Sequence, residues 1–215
     1  VEWCLRQGYE VVVQRRPGLR AALAEAWNKV RGDVLITFSP DGNSDPARIL
    51  PLLDRMVARP ADLHSDGSMT LQPAPDMVIV SRYLAWARSD DDTPLTRLAN
   101  RLFTSWINRL FGGRYTDALV LFRAYRRDLP ERLGLLTERS PAWERWIGRY
   151  ISWEPMLSIR AAKTGCLVGE IPGDEPPRVG HGHVGILLPE SRIHHFRSGA
   201  ALAYLVMEEA CRPAR

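Results

Sequence analysis

The segment Ser39-Pro40-Asp41-Gly42-Asn43-Ser44-Asp45-Pro46 sets oxygen-bearing side chains at Asp41, Asn43 and Asp45, on alternating positions. Hard cations such as Mg²⁺ and Mn²⁺ take oxygen ligands, so Asp41 and Asn43 are candidate metal ligands. The same residues also make an ordinary Asx-rich turn, with Gly42 supplying a positive φ. Spacing alone leaves both readings open. Ser81-Arg82-Tyr83 offers a guanidinium that can grip a phosphate with two parallel hydrogen bonds or form a surface ion pair. Asp90-Asp91-Asp92 precedes a helix start, where negative charge is favoured by the helix dipole. Thr116-Asp117 follows Gly112-Gly113, and Asp117 either holds that turn or acts as a general base. His64, His181, His183, His194 and His195 have no metal-ligand spacing with nearby carboxylates and are assigned no role.

The elements that must position these residues alternate between strand and helix. Glu10–Gln14 is a β-branched run and is expected as a strand. Leu19–Val30, rich in Ala, Leu and Glu, is expected as a helix closed by Gly32. Asp33–Phe38 and Asp76–Ser81 are nearly all apolar, as strands buried on both faces of a parallel sheet are. Ala47–Ala58 is expected as a helix, and Pro60–Pro75 as a loop or insertion. Thr93 caps a helix to Phe111, with Pro94 in its first turn and Leu95, Leu98, Leu102, Trp106 and Leu110, with their neighbours Ile107 and Phe111, forming an apolar stripe. Arg97, Asn100, Arg101 and Asn108 lie away from that stripe. Leu119–Tyr125 and Cys166–Ile171 are expected as strands, Trp153–Lys163 and Phe196–Cys211 as helices. The alternation predicts an α/β fold with a mostly parallel sheet flanked by helices. Ligands of such sheets gather at the carboxyl ends of the strands, where the Asp41 loop and Arg82 both fall.

Composition narrows the partners. The chain has 215 residues, enough for one domain with a full core. No apolar run reaches membrane-spanning length, and the charged, aromatic opening Val1-Glu2-Trp3 is not expected to be a signal peptide. The start at Val1, without Met, predicts a processed or truncated sequence. Cys4, Cys166 and Cys211 are odd in number and far apart, which argues against a disulfide framework and predicts a cytoplasmic setting. The net charge of +4 fits either general solubility or attraction to the phosphates of a nucleotide, a lipid or a membrane. The basic residues form no dense block and no nucleic-acid-binding signature is present, so nucleic acid is not an expected partner.

Taken in order, GDVLITFSPDGNSDP (Gly32–Pro46), DMVIVSRY (Asp76–Tyr83), TRLANRLFT (Thr96–Thr104) and FGGRYTDALVLFRAYRRDL (Phe111–Leu129) resemble the family 2 glycosyltransferases. The nearest branch is that of the dolichyl- and polyprenyl-phosphate mannosyl- and glucosyltransferases. SWEP (Ser152–Pro155) and GEIP (Gly169–Pro172) add to the likeness, which spans about residues 15 to 175. The resemblance implies a GT-A fold whose first strands would precede Val1, with residues 1–185 as the transferase domain and 186–215 as a helical extension, and residues 1–215 alone are expected not to turn over nucleotide-sugar efficiently. It implies metal-dependent, inverting transfer of a hexose from a GDP- or UDP-sugar to a polyprenyl or dolichyl phosphate, at the inner face of a membrane. Asp41 would correspond to the second acid of the family's Asp-x-Asp motif, and Ser39 to the first, a departure at a nucleotide or metal contact. Asn43 falls where a further ligand for Mg²⁺ or Mn²⁺ is found. Arg82 and Arg97 would hold the acceptor phosphate, and Asp117 would be the acid after the turn. The rival expectations are transfer to a hydroxyl acceptor, a non-catalytic module binding nucleotide-sugar or lipid phosphate, and a nucleotidyltransferase.

Overall fold

The computed structural model describes residues 1–39, 41–57, 59–63, 69–137, 141–147, 151–178 and 189–213. Side chains within 59–63, 69–71 and 189–195 lie outside that description. The centre is a four-stranded sheet of β1 (Val34–Thr37), β5 (Arg123–Arg126), β4 (Met77–Ser81) and β6 (Val168–Pro172), in that spatial order. β4 and β6 pair in parallel, while β5 runs antiparallel to both β1 and β4. The sheet is therefore mixed. β1, β4 and β6 point the same way, and β5 is reversed between the first two.

β4 is buried along its whole length because both sheet faces are covered. Its apolar run without polar alternation is what such a strand requires. Val78, Ala124 and Gly169 share one face, where α3 (Ile49–Arg55) lays Arg55 against Gly169. Met77, Ile79, Arg123 and Tyr125 share the other. There α7 (Trp153–Lys163) meets the Arg123 guanidinium through the Glu154 carbonyl and the Ser158 hydroxyl. α2 (Leu19–Ala26), α4 (Pro94–Phe111), α6 (Ala142–Ile147) and α8 (Pro189–Cys211) complete that side, around α7. Ala201, Leu205 and Val206 of α8 join the main core, so this helix, expected as an extension, is packed into the fold. No helix among the described residues is long and apolar enough to cross a membrane.

The sheet is mixed and not the mostly parallel one expected, because β5 runs antiparallel to both its neighbours, and three further expectations change. Glu10–Gln14 forms no strand: Val13 is well exposed, and no strand among the described residues pairs with it. The Pro60–Pro75 segment is not simply a loop, because β2 (Arg59–Leu63) and β3 (Met69–Gln72) pair antiparallel with a bulge between Pro60 and Asp62. Proline cannot donate to a ladder and is tolerated at such irregularities. The third change is the face of α4. Thr93 caps it through the Thr96 amide and Gly112 closes it in the left-handed conformation, as the sequence predicts. Of the expected stripe, Ile107 and Phe111 do pack inward, beside Phe103 and Thr104, but its leucines face out.

That division of the stripe has a measurable signature. Ile107 is 1% exposed and Leu98 is 64% exposed. Ile107→Ala is expected to destabilise the protein by about 2–5 kcal/mol in urea unfolding, and Leu98→Ala by less than about 0.5 kcal/mol. Equal losses would return the stripe to the core.

Candidate functional site

Because β1, β4 and β6 run the same way, their carboxyl ends share one edge of the sheet. The reversed β5 brings the segment before it to the same edge. Residues 39, 41–46, 82–93, 113–122 and 173–178 therefore converge there. Gly173 allows the closest of these approaches: a Cβ there would collide with Val80 Cγ1, and its amide donates to the Ser81 carbonyl at 3.1 Å.

Arg82 is the hub. Its Nε donates to Asp117 Oδ2 at 2.6 Å, its Nη2 to Asp117 Oδ1 at 3.0 Å, and its Nη1 to Glu175 Oε2 at 3.1 Å. Burial works against its charge, but Asp117 and Glu175 outweigh that and raise its pKa well above the ordinary arginine value. Asp117 has no exposed surface. Glu175 also accepts from the Ser89 hydroxyl and, at 3.4 Å, from Asn43 Nδ2. Ser89 forms a parallel bridge with Glu175, and the Asp90 amide donates to the Glu175 carbonyl at 2.9 Å. One guanidinium and two carboxylates thus join the four loops.

The Thr116-Asp117 turn is set from beneath by Glu170 of β6. Its carboxylate accepts from the Thr116 amide at 3.0 Å, the Thr116 hydroxyl at 2.7 Å and the Asp117 amide at 3.3 Å. Burial raises the Glu170 pKa above the ordinary value, and these hydrogen bonds only partly offset it. Asn108 spans the same turn, accepting from the Tyr115 amide and donating to its carbonyl.

The expected metal ligands lie apart from the hub but beside it. Asp41 is half-buried and its Oδ1 faces the Asn43 amide at 3.4 Å around Gly42, which has φ 85°, so the Asx turn is present. Its Oδ2 is 3.5 Å from Arg178 Nε, which also lies 3.2 Å from Asp91 Oδ2. Asn43 is buried, with Oδ1 accepting from Ser44. Asp45 instead caps the following turn through the Ala47 amide. Ser39 is half-buried just past β1. Among the described residues no group of three or more His, Cys, Asp or Glu could hold a metal. A pair such as Asp41 and Asp91 still suits Mg²⁺ or Mn²⁺, which settle for one or two carboxylates when substrate phosphates complete the shell. A guanidinium already lies between those two carboxylates, as a cation would.

Arg97 is in the first turns of α4, and its Nη2 donates to the Ser89 carbonyl at 2.9 Å. Asn100, one turn on, donates to the Tyr83 hydroxyl, which in turn donates to Asp92. The structure brings Arg82, Asp117 and Asn43 into one network, with Arg97 and Asp41 at its margins. Sequence reasoning missed Glu175, Glu170 and Arg178. The close-packed Gly173 ahead of Asp174-Glu175-Pro176 was the available signal. Comparison of the chain with models of protein families and with curated proteins gives no match in either case.

Two predictions follow from burial. Removing one partner of the Arg82–Asp117 pair leaves the other charged and dry, so Arg82→Ala and Asp117→Ala are each expected to lose about 3–5 kcal/mol, with the double variant losing less than their sum. Chemical denaturation of the three proteins checks this, and simple additivity would mean the pair is not coupled. For Glu170 the folded pKa is raised, so the folded state holds that proton more tightly than the unfolded chain. Stability from this group is full below the unfolded pKa and is lost as pH rises through the folded one. Glu170→Gln is expected to flatten that part of the stability–pH curve, and an unchanged slope would show that Glu170 is not its source.

Proposed function

We propose that this chain carries the GT-A-type domain of a family 2 glycosyltransferase that moves a hexose from a nucleotide-sugar to a polyprenyl-phosphate acceptor. The observation that supports the reading best is the convergence of the Asp41 loop, Arg82, Arg97 and the Thr116-Asp117 turn on one sheet edge, in the order and spacing that the sequence resemblance implies.

Asp41, with Asn43 and Asp91 beside it, would hold Mg²⁺ or Mn²⁺. That ion would offset charge on the departing nucleoside diphosphate. Arg97 spends one donor on Ser89 and is the residue we assign to the acceptor phosphate. Arg82 keeps the Asp117 and Glu175 loops in register and would reach a phosphate only by releasing Glu175. Asp117, without exposed surface and with both oxygens taken by Arg82, is poorly placed as a general base. This favours a phosphate acceptor, already anionic at neutral pH, over a hydroxyl that needs deprotonation.

The test is transfer from GDP- and UDP-hexoses to a short-chain polyprenyl phosphate with Mn²⁺ present. Asp41→Ala is expected to abolish metal-dependent turnover. Arg97→Ala is expected to lower kcat/KM for the lipid by roughly tenfold, one charge-assisted hydrogen bond, while nucleotide-sugar affinity holds. Binding of nucleotide-sugar without transfer would instead favour a non-catalytic module, and no binding of donor or acceptor would sink the proposal.

A further inference from the structure

We propose that the outward face of α4 docks on the anionic surface of a lipid bilayer. Leu95, Leu98, Leu102 and Leu110 are 69%, 64%, 46% and 58% exposed and lie on one side of the helix at helical spacing. Trp106 falls on the same stripe, half-buried and edge-on to Phe103 at 5.4 Å. Single exposed leucines need no explanation, but an aligned row of them on one helix does. The row adds little to folding, because Phe103, Thr104, Ile107 and Phe111 already bury the opposite side.

Charge selects the occupant. The sequence of α4, PLTRLANRLFTSWINRLF, contains Arg97, Arg101 and Arg109 and no acidic residue. Arg101 and Arg109 are exposed beside or within the stripe, and exposed Arg114 follows the helix. Leucine and tryptophan on one side with arginines at the flank are the pattern of a helix that lies in a membrane interface, its long cationic side chains reaching up to the headgroups. A second copy of the chain meeting this face would bring Arg101 and Arg109 against their own kind. Anionic headgroups supply the opposite charge, each nearby arginine adding to the attraction. Arg97 and Asn100 leave the opposite side of the same helix towards Ser89 and Tyr83, so docking would hold the candidate site one helix diameter, ~10 Å, from the headgroups. The docking itself does not depend on any catalytic reading.

Co-sedimentation of the full chain with vesicles tests this. The protein is expected to sediment with mixed phosphatidylcholine–phosphatidylglycerol vesicles and far less with pure phosphatidylcholine, and high salt is expected to weaken the binding. Leu98→Glu/Leu102→Glu should reduce partitioning by at least about tenfold, with circular dichroism and Tm unchanged. Should that variant fail to fold, Leu95→Ser and Arg101→Glu, both at exposed positions, give the same readout. No binding to the anionic vesicles, or undiminished binding by the folded variants, overturns the proposal. So does light scattering that finds a dimer dissociated by Leu98→Glu/Leu102→Glu in a protein that does not bind vesicles, which would assign the stripe to a second copy.

Discussion

The guanidinium of Arg82 is the constraint on which the sheet edge depends. It belongs to the residue that follows β4 and meets Asp117, which precedes β5, and Glu175, which follows β6. Each of these charges has given up most of its water. Such a loss is repaid only when every lone pair and proton finds a partner, and here the partners come from separate loops: Ser89 and Asn43 on Glu175, and the backbone amide of Arg82 itself on Asp117. A shift of one loop would strand a dry charge in another. The loops therefore hold a common arrangement without a sheet ladder beyond the strand ends.

The balance of charge at this edge bears on what it can bind. Asp41, Asp91, Asp92, Asp117 and Glu175 gather there against Arg82, Arg97 and Arg178. With carboxylates in excess, a bare diphosphate would meet repulsion as well as attraction. A divalent cation reverses that balance, which is the electrostatic reason to link the nucleotide reading with the metal reading. The overall charge of +4 resides elsewhere, part of it along α4.

Local signals were legible where they were chemical. Thr93, Pro94 and Gly112 mark the ends of α4 because a hydroxyl cap, a missing amide and a positive φ are properties of those residues alone. The uninterrupted apolar run of β4 likewise declares burial on both faces. The direction of β5 was not legible, since alternation and propensity carry no information about which neighbour a strand will join. Nor was the inward side of α4, because Leu102 and Phe103 are both apolar and only packing against α7 and α8 decides between them. In the candidate site, Asp41 and Arg82 were named from residue type and position after a strand, and the structure sets both at that edge. Glu175 was not, because it acts through partners as much as 132 positions away in sequence.

The same dependence on distant partners extends beneath the site. Arg123 is fully buried in β5, and burial lowers its pKa while Glu154 acts to raise it. A charge so placed needs fixed dipoles around it. The guanidinium finds them in the carbonyls of Val120, Ala118 and Glu154 and in the hydroxyl of Ser158. Ser158 in turn donates to the Ala118 carbonyl at 2.6 Å. Ala118 and Val120 are the residues that lead from Asp117 into β5. Arg123 thus ties that approach to α7 from below, while Arg82 holds Asp117 from above. The Glu154 Oε1 atom is buried without a hydrogen-bond partner among the described residues. The contact to Arg123 is made by the Glu154 backbone carbonyl, so what positions the turn from below is the set of hydrogen bonds from Arg123 to that carbonyl, to Ser158 and to the approach to β5.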